Sequence, residues 1–134
     1  MNNNFQTADI LHFAEYVFTD TNQKARHFAL VLLPSKIMEF ESNLLCAVIT
    51  SKFTREFALK LLKSKYAFFS KDSYVCLNRR DINCLEGLSD SKQPVGKLDI
   101  LDIRKAFKIL KSILYGTSDI YLMATIVKEW KKIK

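Results

Sequence analysis

The sequence predicts an α+β fold, a small barrel-like antiparallel sheet followed by C-terminal helices, and three observations lead there. Short apolar, branched runs separated by turn-forming residues occupy most of the first 85 positions, which suits strands better than helices. From Asp99 onward the apolar spacing changes to steps of three and four, the period of a helix. The chain has 134 residues, 49% of them hydrophobic, enough for one domain with a real core and too few to expect two.

The elements follow in order. Asp9 to Phe18 is rich in aromatic and branched residues and reads as a first strand. A polar loop, Thr19 to Lys24, leads into a second strand, Arg26 to Leu33, stopped by Pro34; the two make a hairpin. Leu44 to Thr50 is the third strand. Glu56 to Leu62 is ambiguous, because Phe57, Leu59 and Leu61 alternate as in a strand while Phe57, Leu61 and the lysines also suit a helix; a strand is favoured. Ser73 to Leu77 and a short piece around Ile82 to Leu85 complete the sheet. Ile100 to Tyr115 is an amphipathic helix with Ile103, Phe107, Leu110 and Leu114 on one stripe, Asp99 as its cap and Gly116 as its stop. A second helix starts after Thr117-Ser118, with Ile120, Met123, Val127 and Trp130 on one side and Lys128, Lys131 and Lys132 near its end.

The net charge of +7 is unevenly placed. Residues 1–50 carry three Lys/Arg against five Asp/Glu, residues 51–66 carry five against Glu56 alone, and the last 31 carry eight against Asp119 and Glu129. Such basic zones gather polyanions such as RNA or DNA, or an acidic protein partner; a plain solvated face is the bland alternative. No stretch is long and apolar enough for a membrane span, and the N-terminus lacks a signal peptide's basic head and apolar centre, so a cytoplasmic protein with no membrane partner is expected. Cys46, Cys76 and Cys84 have no metal-ligand spacing and read as buried thiols. His12 reads as structural or exposed, and the two histidines give no metal signal.

The chemistry-bearing residues sit at strand ends. The second strand opens on Arg26 and His27, and the third closes on Thr50 and Ser51, so these polar ends emerge together at a sheet rim if the two strands are neighbours. Histidine titrates near neutrality and serves as general acid or base, whereas an ordinary half-buried histidine is its alternative role. A threonine that ends a strand also commonly caps a loose backbone group.

In this order the chain resembles the MazF/PemK family of toxin endoribonucleases over residues 8–116. Ala8-Asp9-Ile10 looks like the family's Gly-Asp step into strand one, and His27-Phe28-Ala29-Leu30-Val31-Leu32 looks like its Arg-Pro-Ala-Leu-Val-Leu second strand. Ala47-Val48-Ile49-Thr50-Ser51 is similar to the third strand with its terminal Thr, Tyr66 through Val75 to a short helix and following Asp-Ser strand, and Val95-Gly96-Lys97-Leu98 to the step into the C-terminal helix. The resemblance implies an SH3-like antiparallel barrel of the CcdB/PemK kind spanning residues 1–134, with residues 117–134 as an additional helix. It further implies a homodimeric toxin of a type II toxin–antitoxin pair, blocked by an acidic antitoxin, that cuts single-stranded RNA through 2′-hydroxyl attack without a metal or other cofactor.

The family works with an Arg at the start of strand two and the Thr that ends strand three. Thr50 matches the latter, but His27 stands at the former, Phe28 replaces the Pro, and the neighbouring arginine is Arg26. Three readings are open: His27 does the chemistry by another route, a local shift brings Arg26 into place, or the fold persists without the activity. Lys24, Ser51, Lys52, Arg55, Arg79 and Arg80 are candidate RNA contacts. The competing functions are a CcdB-like toxin that binds gyrase, for which a C-terminal helix carrying Trp130 is the pointer, and an inactive nucleic-acid-binding barrel.

Overall fold

A computed structural model describes residues 5–17, 24–34, 43–51, 57–78, 81–86, 93–114 and 120–133; for residues 13–17, 24–27, 43–44 and 83–86 it describes the backbone alone. Seven strands precede two helices: β1 (Asp9–Val17), β2 (Lys24–Leu33), β3 (Asn43–Thr50), β4 (Ala58–Leu61), β5 (Ser73–Cys76), β6 (Ile82–Glu86), the two-residue β7 (Gly96–Lys97), α1 (Ile100–Leu114) and α2 (Ile120–Lys131). All pair antiparallel in the order β4-β5-β3-β2-β1-β7, with β6 also on β3. The sheet curls into a half-barrel. It does not close into the expected barrel among the described residues, because the terminal strands β4 and β7 find no partner beyond β5 and β1.

β3 carries the architecture because it is shared. One edge pairs with β2; on the other, Asn43 to Ala47 pair with β6 and Ile49 and Thr50 pair with β5. The sheet therefore forks at the C-terminal end of β3, where Thr50 stands. Alternation along the strands sorts side chains onto two faces. Ile10, Leu30, Leu32, Ala47, Ile49, Leu59, Leu61 and Val75 form one core with Ile103, Ala106 and Leu110 of α1 and Met123, Ile126 and Trp130 of α2. Leu11, Ala29, Val31, Cys46, Val48 and Cys76 form a second cluster, buried with Phe5, on the face away from the helices.

Both helices turn their stripes slightly from the expected ones. α1 buries Ile103, Ala106, Leu110 and Ile113, leaving Phe107 and Leu114 at the margin, where the Lys111 ammonium lies 4.6 Å from the Phe107 ring centre. α2 buries Met123, Ile126 and Trp130, while Ile120 is exposed and Val127 half-buried. Trp130 is a core residue whose indole Nε1–H donates to the Leu32 carbonyl at 3.1 Å, tying α2 to β2.

Asp99 caps α1 as its sequence position predicts, its Oδ1 accepting from the Asp102 N–H at 2.8 Å. The Tyr66 hydroxyl completes the cap: it accepts from the Asp99 N–H at 3.0 Å and donates to the buried Asp102 Oδ2 at 2.6 Å. Lys65 pairs with both carboxylates. Burial pushes the Tyr66 phenol well above its ordinary pKa, and its bond to Asp102 adds to the rise. Partial burial works against the ionised Asp99 carboxylate, but Lys65 and the Asp102 N–H outweigh it and hold the group below the usual carboxylate value. Where the resemblance implies a short helix after Tyr66, the chain makes successive turns, with Lys65 and Tyr66 bonded back to Leu62 and Phe69 to Tyr66. That segment spends its aromatic residues on the core instead: Phe69 is buried edge-on against Phe28 at 4.9 Å, and Phe68 packs on both.

Candidate functional site

Strand register sets which residues neighbour Thr50. The β2–β3 pairing ends with Phe28 opposite Ile49, which leaves position 27 and Thr50, where β3 ends, one step beyond the last pair. Thr50 in turn faces Tyr74 of β5, and Tyr74 faces Lys60 of β4. Positions 50, 74 and 60 thus form one row across three strands. Directly opposed residues share a face, and the neighbours Ile49, Val75, Leu59 and Leu61 all point to the helix-side core. The row therefore lies on the other face, away from the helices.

Exposure increases along it. Thr50 and Tyr74 are half-buried and Lys60 is exposed, with its ammonium 3.9 Å from Asp72 Oδ2. Ser51, beyond Thr50, is exposed. An aliphatic hydroxyl, a phenol and an ammonium in one line make a set able to hold an anion. Tyr74 and Lys60 were not legible as site residues in the sequence, since only the β3–β5–β4 register joins them to Thr50.

β2 runs through Lys24, Arg26 and His27, whose side chains lie outside the described residues, as do Lys52, Arg55, Arg79 and Arg80 altogether. The backbone around Arg26 is irregular. Phe13 faces His27 but Tyr16 faces Ala25, so two residues of β1 stand opposite Arg26 alone. A bulge of this kind bends the pairing and re-aims side chains beside it. His12, on the helix-side row, is half-buried with its ring edge-on to Phe28 at 5.1 Å. Among the described residues no group of three His, Cys, Asp or Glu side chains stands close enough to hold a metal ion, and Cys46 and Cys76 are buried free thiols. No helix among the described residues is long and apolar enough to cross a membrane.

The opening of β1 has a strained backbone. Ala8 takes φ 76°, in the left-handed region that glycine enters freely and alanine does not. Its N–H donates to Val31 O at 2.9 Å and its carbonyl accepts from Leu98 N–H at 3.0 Å, so Ala8 joins β2 to the step into α1. Asp9 beside it is buried and accepts from the Gln6 N–H at 2.8 Å; burial pushes its carboxyl above the ordinary value, against the Gln6 bond and the Lys97 charge.

No protein-family model matches this sequence, and no curated protein is significantly similar to it.

Proposed function

We propose that the chain is a metal-independent, sequence-specific endoribonuclease of the MazF/PemK kind, the toxin of a toxin–antitoxin pair. The observation that carries this reading is the pairing of Phe28 with Ile49, which leaves position 27 of β2 and Thr50 at the end of β3 on neighbouring strands one step beyond it. Two further features support it. The left-handed backbone at Ala8 falls where the family's opening has glycine, and a curled antiparallel sheet with C-terminal helices suits the architecture the resemblance implies.

In the proposed reaction the 2′-oxygen attacks the adjacent phosphorus, its proton passes to the base, and the bond from phosphorus to the 5′-oxygen breaks as that oxygen takes a proton. The products are a 2′,3′-cyclic phosphate and a 5′-hydroxyl. His27 is assigned as the base, with Arg26 beside it in β2 as the alternative cation; the Thr50 hydroxyl bonds to the phosphate, and Lys60 offsets its charge from the exposed end of the row. A homodimer bound by an acidic antitoxin in the cytoplasm completes the proposal. The gyrase-binding alternative loses its pointer, because Trp130 is 1% exposed and bonded to Leu32 rather than displayed.

The test is incubation of purified protein with a long unstructured RNA in EDTA, with end analysis and a repeat with Thr50→Ala. Discrete cuts leaving cyclic phosphate that weaken by roughly 10² or more in the variant are expected. Absence of cleavage at high protein excess sinks the ribonuclease reading.

A further inference from the structure

The outer surface of the helical pair is a second feature of the molecule for which the proposed cleavage site has no use. Arg104, Lys105, Lys108 and Lys111 of α1 are all exposed. At 3.6 residues per turn they fall within an arc of about 120° and a rise of about 10 Å. Neighbours three and four residues apart lie within one Debye length at physiological salt, about 8 Å, so adjacent charges repel one another and the ends of the track are screened from each other. Nothing among the described residues relieves them. None of the four pairs with a carboxylate; Lys111 meets only the Phe107 ring. The two acids at the start of the helix, Asp99 and Asp102, are already engaged by Lys65 and Tyr66.

α2 extends the same surface. The five residues between the helices make them neighbours, and they pack together along their inner stripes. Lys128 and Lys131 of α2 and Lys132 just beyond it are exposed, and the nearby Glu129 is half-buried and bonded to Lys132 at 3.1 Å. At the N-terminal end of α2, Tyr121 is 89% exposed. A protein interface of ordinary affinity needs an apolar core. Among the described residues of this surface the exposed large apolar ones are Leu101, Ile120 and Tyr121, all at helix ends. A cationic track with an aromatic ring at its border is instead the chemistry that holds single-stranded nucleic acid, with ammonium and guanidinium groups on phosphates and a ring to stack a base.

We propose that the outer face of α1, extended by α2 and Tyr121, binds the phosphate backbone of single-stranded RNA outside the cleavage row. This deepens the ribonuclease reading and rests on it for the identity of the nucleic acid. The surface adds affinity without sequence preference, since phosphate contacts position a strand and do not read it.

The experiment is fluorescence anisotropy with a labelled 2′-O-methyl oligonucleotide, which cannot undergo 2′-hydroxyl attack, titrated across a series of salt concentrations. The wild type is compared with the combined Arg104→Gln, Lys105→Gln, Lys108→Gln, Lys111→Gln variant and with Tyr121→Ala; circular dichroism and thermal unfolding check that each folds. Four lost contacts at about 0.7 each lower the magnitude of the log–log salt slope by about 3 and weaken binding on the order of 10²-fold at 0.1 M salt. Tyr121→Ala weakens binding with the slope kept. An unchanged slope in the fourfold variant overturns the proposal, as does a variant that binds the oligonucleotide normally but loses polyglutamate or anionic vesicles. Wild type that binds with the expected slope yet cuts no RNA leaves this surface standing and removes the ribonuclease reading. Wild type that cuts RNA while the fourfold variant keeps its slope does the reverse.

Discussion

Ala8 is a residue whose backbone contradicts its side chain. Its methyl is fully buried, yet φ is 76°, which costs an alanine roughly 1–2 kcal/mol. Ala8→Gly relieves that strain while losing one buried methyl and gaining unfolded-state entropy, so the variant should lie within about 1 kcal/mol of wild type. Ala8→Val adds a β-branched side chain to a left-handed, filled position and should lose about 3 kcal/mol or more. Urea unfolding separates the two; equal losses would mean that Ala8 is not left-handed. Tyr66 offers a second residue-scale test. Tyr66→Phe removes the hydroxyl that links the Asp99 N–H to Asp102 and should cost about 2 kcal/mol, because both partners stay buried or half-buried without it.

The same cluster fixes a pH dependence. In the folded chain the Asp99 carboxyl titrates below the ordinary aspartate value, so its contribution to stability is complete above that ordinary value and is lost as pH falls through the folded one. The folded pKa of Lys65 lies above 10.5, raised first by its bond to Asp99, so its contribution is complete below 10.5 and is lost as pH rises through the folded value. Asp99→Asn keeps a capping oxygen but removes the acid titration. Denaturation midpoints measured from pH 5 to pH 2 should fall less steeply in this variant than in wild type.

At the scale of elements, α2 is held by one hydrogen bond of long reach and a narrow apolar stripe. Trp130→Phe removes the donor to the Leu32 carbonyl and leaves a gap where the larger ring stood, which should cost about 2–4 kcal/mol. Thermal unfolding followed at the helix signal measures it; an unchanged midpoint would place Trp130 outside the core. Most elements could be read from the sequence because their periods are local: β1, β2, β3, β5 and β6 begin or end within one or two residues of the apolar runs, where the ends are described. β4 begins one residue later than its alternation implies, because Phe57 takes φ 58° and turns out to 41% exposure. β7 was not legible, since two residues, one of them glycine, carry no period. Gly96 itself answers to tertiary packing: a Cβ there would lie 2.6 Å from the Phe68 ring. The helix stripes read from large apolar residues alone missed Ala106, Ile113 and Ile126, which are buried, and placed Phe107, Leu114 and Val127 there, which are half-buried.

At the scale of the molecule, the candidate site is where local reading stops. Thr50 was visible as a strand end; position 27, expected at the opening of β2, lies inside it because pairing with β1 extends the strand back to Lys24, and Tyr74 and Lys60 join Thr50 only because the sheet forks at β3. If the row acts as a unit, Tyr74→Phe should lower the cleavage rate of saturated enzyme by roughly tenfold with little change in oligonucleotide affinity, and Lys60→Gln should chiefly weaken binding. Single-turnover cleavage beside anisotropy distinguishes them; a Tyr74→Phe variant altered only in unfolding midpoint would make the phenol structural.

The bond between Trp130 and Leu32 joins positions 98 residues apart. During synthesis β2 leaves the ribosome long before its indole partner exists, so the helix-side core remains open until α2 has been translated. A chain cut after residue 118 lacks Met123, Ile126 and Trp130 from that core. Such a fragment would present uncovered sheet surface to chaperones and proteases, so production of folded protein in a cell is gated by completion of the message rather than by its first strands.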